Sequence, residues 1–345
     1  MMSSRSRWRR LRKILSGLFL LAVAVLLVVY AQKIDWPEVW KVMRDGDPYR
    51  LLAAAGLVVV SYLIYGGYEL LARQWCHHRL AAGRVMLIAF VCYAFNLTLS
   101  TWVGGIGMRY RLYSRPGLRG ATIAHIFTMS IATNWLGYIL LGGALFTSGL
   151  LRLPAHWYIG PGTLRLFGVI LLAIVALYLW ACARAKKRHI RIRGNTFSLP
   201  SWRFALAQLA LSSVNWMAMA ATVWLLMGSN IDYVLVLGIL LVSSIAGVIV
   251  HIPAGIGVTE AVFVALLAGE PVSRNAIIAA LLVWRVLYFF IPLLLATFAW
   301  LGLESQAKRL QASSPGSGEE KPSSAAVAKN AQQHQEQVDK VQIQG

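Results

Sequence analysis

Eight apolar segments dominate the sequence, at about 14–31, 51–71, 85–103, 122–147, 164–183, 204–227, 233–253 and 276–302. Each approaches or exceeds the roughly 20 residues that an α-helix needs to cross a bilayer. With 58% of 345 residues hydrophobic and 13% charged, no single soluble core could enclose these runs. The expected fold class is therefore an all-α polytopic membrane protein.

The net charge of +20 sits in short basic clusters between the apolar segments. That pattern reads as topogenic charge and not as a nucleic-acid surface, since no recognition motif accompanies it. Eight plain spans starting from a basic cytoplasmic N-terminus would put ARAKKRHIRIRGN, residues 183–195, outside, against the positive-inside rule. The conflict disappears if 85–103 enters from the cytoplasm, turns at GGIG and returns through 108–118 as a re-entrant hairpin. A second hairpin, 233–253 returning through 258–268, then enters from the opposite face.

The expected architecture is about six spanning helices plus two oppositely oriented re-entrant hairpins in an inverted-repeat-like arrangement, with eight simple spans as the alternative. Residues 1–13 form a basic cytoplasmic N-terminus, 14–304 the transmembrane domain and 305–345 a polar cytoplasmic tail too irregular to bury a core. The run at 14–31 is long for a signal peptide and reads as an uncleaved anchor.

The two turns pair Gly104-Gly105-Ile106-Gly107 with Ala254-Gly255-Ile256-Gly257. Gly104, Gly105, Gly107, Gly255 and Gly257 suit tight turns with positive φ, and Pro253 cannot donate an amide to a continuing helix. Backbone exposed at such turns is tolerated at membrane depth only where protein or a hydrated cavity surrounds it.

Acids are scarce. Between Leu70 and Leu303 only Asp232, Glu260 and Glu270 occur, and Glu260 alone adjoins a turn. A charge at the bilayer centre costs about 2.5–3.5 kcal/mol, so it pairs, faces water or takes a proton. Arg285, within the last apolar segment, is the expected partner. The pair has two readings, a polar substrate-binding cavity or a buried contact that fixes packing.

Arg109 and Arg111 follow the first turn on one side of an extended or loosely helical stretch and would suit a phosphate headgroup, with a topogenic role as the other reading. Glu69 and Arg73, four residues apart, read as a local ion pair. Asn96, Asn134 and Asn215 read as interhelical hydrogen-bonding groups and His251 as a packing histidine. His77 and His78 lack neighbouring ligands, and the three cysteines are isolated, so neither catalytic residues nor a metal site nor a cofactor is expected. No nucleotide-binding loop is present.

PAGIGVTE at 253–260, together with LSTWVGGIGMRYRLYSR, SSVNWM and SSIAGVIVHIPAGIGV, resembles the membrane domain of the lysylphosphatidylglycerol synthase/flippase family. Two departures are Ala254, where the family pattern has glycine, and the lack of a soluble aminoacyl-transferase domain, so synthase activity is not carried over. The resemblance implies a multi-pass protein of the bacterial inner membrane from a group linked to moving modified or anionic phospholipids between leaflets, and the expected function is assisted movement of an anionic one, phosphatidylglycerol or cardiolipin. Arg109, Arg111, Glu260 and Arg285 would then meet the headgroup. An intramembrane enzyme subunit, or a structural partner of lipid-synthesis enzymes, is the alternative.

Overall fold

The computed structural model describes residues 46–313 apart from 99–100, 151–159, 185–188, 193–194, 229–230 and 251–254, with a few positions between 32 and 44. The predicted span at 14–31, Pro253, Ala254, His251 and most of the tail lie outside the described residues. The contacts below all lie within residues up to Ala299, which form one compact unit, with Trp300 onward a second.

The described chain is helical almost throughout. Helices α1 (Pro48–Trp75) and α2 (Ala82–Thr98) are followed by a π-helical stretch (Thr101–Gly107) and the short α3 (Met108–Ser114). Helices α4 (Gly120–Ser148) and α5 (Pro161–Arg184) precede a small antiparallel hairpin, β1 (His189–Ile192) with β2 (Asn195–Ser198). Then come α6 (Trp202–Leu226), α7 (Tyr233–Val250), α8 (Val258–Leu266) and α9 (Arg274–Arg285). A second π-helical stretch (Val286–Phe290) leads into α10 (Ile291–Ser313).

Local signals set several boundaries. Asp47 caps α1 by accepting from the Tyr49 amide at 2.9 Å, with Pro48 at the first position where a missing N–H costs nothing. Ser201 and Ser273 cap α6 and α9 in the same way. Gly149, at φ 70°, ends α4 in the left-handed conformation.

Six described helices are long and apolar enough to span a bilayer. Five match predicted spans; the sixth, Tyr233–Val250, was expected as a hairpin limb and has 18 residues, about 27 Å at 1.5 Å per residue.

Helix directions fix the topology. Arg50 donates to the Gly228 carbonyl at 2.8 Å, Ser61 to Asn215 Oδ1 at 2.6 Å, and Trp75 meets Phe204 at 5.5 Å between ring centroids. These contacts step in opposite senses, so α1 and α6 are antiparallel. Helix α4 runs parallel to α6, with Gln208 bonded to Thr133 at 2.7 Å and Trp216 to the Asn134 carbonyl at 3.2 Å. Helices α4 and α5 pack antiparallel through Gly143 on Leu172 and Gly168 on Thr147.

One end of the bundle therefore gathers the end of α1 and the starts of α4 and α6, and with them Arg73, Arg79, Arg84, Arg115, Arg119 and Arg203. Toward the other end lie Arg50 and Arg165 with Asp47 and Asp232. Because α2 leaves the basic end and α4 starts from it, residues 82–119 must go out and come back. A β-carbon on Gly104 would lie 2.2 Å from the Phe95 carbonyl carbon. In one straight helix those positions would be about 13 Å apart.

By Gly104 the returning limb already lies against the α2 backbone. Here the structure corrects the expected tight turn at GGIG. Gly104, Gly105 and Gly107 lie in the π-helical stretch, and Gly107 has φ −59° and ψ −46°. At Gly104 smallness matters more than conformational freedom, because it lets the returning limb touch the α2 backbone.

The glycines of the second hairpin differ in conformation from Gly107 of the first. Gly255 and Gly257 have φ 59° and 83°, and a β-carbon on Gly247 would lie 3.6 Å from Gly255 Cα. Helix α7 begins just beyond the far end of α6, where Tyr233 donates to the Met217 carbonyl at 2.9 Å. The two hairpins thus start from opposite ends of the bundle.

Candidate functional site

Each hairpin is held to the bundle by an arginine that bonds both to a glutamate and to a glycine carbonyl of the hairpin. In the first hairpin Arg109 Nε donates to Glu69 Oε1 at 2.7 Å, Nη1 to the Gly105 carbonyl at 2.9 Å and Nη2 to Tyr65 Oη at 3.1 Å. Tyr113 donates to the other carboxylate oxygen of Glu69. In the second, Arg285 Nε donates to Glu260 Oε1 at 2.5 Å, and Nη2 to Glu260 Oε2 at 2.9 Å and to the Gly255 carbonyl at 3.1 Å. The Gly257 amide donates to Glu260 Oε2 at 2.8 Å, which ties the acid to the start of its own helix.

The parallel extends to the aromatic neighbours. The Arg109 guanidinium lies 5.5 Å from the centroid of Phe127, and that of Arg285 lies 5.9 Å from Phe289, within cation–π range. Gly105 and Gly255 are the equivalent positions of the two paired motifs, so the duplication read from GGIG and AGIG reaches the side-chain chemistry. The roles are exchanged, however. The first hairpin supplies the arginine and α1 the acid; the second supplies the acid and α9 the arginine.

The two clamps differ in access. Side-chain exposure is 0% at Glu69 and 1% at Arg109. It is 3% at Arg285 but 18% at Glu260. Only the second clamp offers a carboxylate to the surroundings.

A buried polar strip lies between the clamps. Tyr65 stacks on Tyr93 at 3.6 Å, and Tyr93 Oη lies 3.0 Å from Tyr288 Oη. Tyr288 Oη is also 2.6 Å from Ser61 Oγ, which donates to Asn215 Oδ1. The Tyr288 carbonyl, within the second π-helical stretch, accepts from Tyr62 Oη at 3.0 Å. A π-bulge shifts backbone bonds out of register and makes such a carbonyl accessible to a neighbouring helix.

Residues 14–296 match the lysylphosphatidylglycerol synthase TM region. The chain belongs to that family. Inner membrane protein YbhN of Escherichia coli (strain K12) is 66% identical over 312 residues, covering 90% of this chain and 98% of YbhN. Glycosyltransferase AglD of Haloferax volcanii is 25% identical over 336 residues, covering 80% of this chain and 52% of AglD. Phosphatidylglycerol lysyltransferase of Bacillus subtilis (strain 168) is 24% identical over 271 residues, covering 76% of this chain and 30% of the transferase. Likeness to YbhN and the six long apolar helices support a multi-pass protein of the bacterial inner membrane.

Against this lysylphosphatidylglycerol synthase membrane framework, the predicted site residues separate. Glu260 and Arg285 pair as expected. Arg109 and Arg111 do not share a side, because Met108–Ser114 is a true helix and residues two apart point in different directions. Arg109 is buried and bonded on all three nitrogens, Tyr110 is 57% exposed and Arg111 is half-buried.

The local Glu69–Arg73 pair is replaced by Glu69–Arg109, which sequence reasoning missed. Its signal lay in α1 continuing to Trp75, which sets Glu69 inside the helix beside Tyr65 and Tyr68 and away from the solvent-facing end. Asn215 makes its expected interhelical bond.

Proposed function

We propose that this protein assists movement of phospholipid between leaflets, without catalysing a covalent reaction, and that its substrate is anionic: phosphatidylglycerol or cardiolipin. The observation that carries the reading is the unequal sealing of two otherwise matching clamps, with Glu260 18% exposed beside the buried Arg285. An arginine fork binds phosphate as it binds carboxylate, through paired planar hydrogen bonds. A headgroup phosphate can therefore exchange with Glu260 on Arg285 while the acyl chains stay in lipid. Glu260, moving to its exposed side, takes a proton or meets a headgroup donor. The first clamp, sealed on all sides, serves as the scaffold against which this exchange occurs.

The comparisons support the reading through the shared membrane region. The same membrane region accompanies parts of longer proteins named for lysyl transfer and for glycosyl transfer. What those relatives share with this chain is therefore the membrane framework and not one transfer reaction. That observation also favours a second reading, in which the chain is a structural partner of lipid-synthesis enzymes.

The test is transbilayer movement of labelled phosphatidylglycerol and cardiolipin in proteoliposomes, against protein-free vesicles and a Glu260→Gln variant. The expected result is acceleration by the protein and a loss of about tenfold or more in Glu260→Gln, the scale of one charge-assisted hydrogen bond. Acceleration unchanged by Glu260→Gln removes this reading. Acceleration absent from folded protein moves the function to the partner role.

Orientation has its own test, in a background with Cys76, Cys92 and Cys182 replaced by alanine. With the basic end cytoplasmic, an impermeant maleimide labels Arg274→Cys in intact cells and Ser114→Cys only after permeabilisation. Labelling of Ser114→Cys in intact cells reverses the assignment.

A further inference from the structure

The end of α1 carries Arg73, whose expected partner has gone elsewhere, and His78 follows three residues after the helix ends. Glu69, four residues before Arg73, is taken by Arg109 and Tyr113. The buried Nε of Arg73 has no hydrogen-bond partner among the described residues. Both ring nitrogens of His78 are likewise buried and without a partner, while the ring packs edge-on against Tyr113 of the first hairpin, 6.1 Å between centroids. Burial, and then the charge of neighbouring Arg73, keep the imidazole below the ordinary histidine range, with Glu69 opposing them.

The backbone at this point is unusual. His77, at φ 52°, is the one non-glycine residue with positive φ among the described residues. That conformation costs about 1–2 kcal/mol in an L-residue, and such strain concentrates where a site has to be held in shape. It ends α1 abruptly and sets His78 against Tyr113.

Buried nitrogens without an acceptor are each worth about 1–3 kcal/mol of lost solvation. Two such donors, the Arg73 Nε–H and the single N–H of the neutral His78 imidazole, lie at the basic end, close enough for the Arg73 charge to act on the imidazole. We propose that Arg73 and His78 form an oxyanion site that takes a phosphate group, beside the first hairpin and separate from the Glu260–Arg285 pair.

The chemistry selects the ligand class. A guanidinium and an imidazole supply N–H donors suited to phosphate oxygens. The nearest carboxylate, Glu69, is already neutralised by Arg109, so it does not repel an anion. A cation would meet Arg73 with no acid left to receive it. The phosphate can belong to a lipid headgroup or be free in solution; the lipid source rests on the function proposed above, and the phosphate chemistry does not.

The experiment uses the full chain in detergent micelles with ¹³C-labelled histidine, the signal of His78 among the seven histidines being assigned with His78→Asn. Inorganic phosphate and short-chain phosphatidylglycerol are titrated separately, with short-chain diacylglycerol as the control that lacks phosphate. The expected result is a saturable shift of the His78 signal with at least one phosphate-bearing probe and none with the control. Arg73→Gln weakens the apparent affinity about tenfold or more, and Arg73→Lys recovers part of it.

A response to phosphatidylglycerol alone supports a headgroup site, and a response to inorganic phosphate alone supports a free-anion site. No saturable shift with either probe in protein that elutes as a single folded species overturns the proposal, as does a shift unchanged by Arg73→Gln. Translocation that persists while this titration fails removes the site and leaves the proposed function standing, because that function is read on Glu260.

Discussion

Glu69→Gln is expected to abolish accumulation of folded protein, whereas Glu260→Gln leaves it intact. The substitution strands the Arg109 guanidinium, 1% exposed, without its counter-charge and leaves one amide oxygen where two carboxylate oxygens served Arg109 and Tyr113. Breaking a fully buried ion pair from one side costs about 3–5 kcal/mol, a large share of the stability of most domains. The same physics makes the double change informative. Removing both charges as Glu69→Leu with Arg109→Met takes away the stranded group, and such replacements are often neutral or better.

The check is the yield of monodisperse protein in detergent and its thermal midpoint. The single variant should fall far below the parent, and the double variant should recover most of the difference. Equal loss in both would mean that the contacts to Tyr65 and Gly105, and not the charge pair, carry this clamp. Glu260→Gln keeps an amide that can still accept from the Gly257 backbone, and its side chain reaches an exposed edge. Its stability should therefore change much less.

Gly104→Ala is the second large effect. The added methyl would stand 2.2 Å from the Phe95 carbonyl carbon and oxygen and 2.4 Å from the Asn96 amide nitrogen. All three are backbone atoms of a helix and cannot rotate away, so the returning limb has to separate from α2. Forcing a methyl into a filled contact costs about 1–3 kcal/mol and occasionally more. Because Arg109 rides on that limb, separation also loosens the Glu69 pair, and a midpoint drop at the upper end of the range is expected.

Gly83→Ala is the matched control. A β-carbon there meets nothing within 4 Å, and alanine favours the helix over glycine by up to about 1 kcal/mol. It should hold or raise the midpoint. If Gly104→Ala behaves like Gly83→Ala, the close approach of the two limbs is wrong.

These residues show what the sequence could and could not disclose. The scarcity of acids pointed to Glu260, and burial cost alone was enough to call for Arg285. The run of basic loops was enough to suggest hairpins entering from opposite sides, because charge is counted along the chain without knowing contacts. Gly255 and Gly257 could be read as turn glycines since Pro253, which cannot continue a helix, stands beside them.

The glycines at 104–107 could not be read correctly. Glycine serves equally for a left-handed turn and for close backbone contact, and only the position of Phe95 tells which. Glu69 was hidden for a related reason. A basic residue four positions away offers every helical acid a plausible partner, and the true one lies 40 residues later in sequence.

The exchange of roles between the clamps gives the two hairpins opposite electrical consequences. Were the first hairpin to withdraw, it would carry Arg109 away and leave an anion, Glu69, bare in the bundle. Were the second to withdraw, it would carry Glu260 away and leave a cation, Arg285. An approaching phosphate would be repelled by one vacated cradle and drawn into the other. Two limbs of similar shape thus bring charges of opposite sign into the bundle, the first an arginine and the second a glutamate.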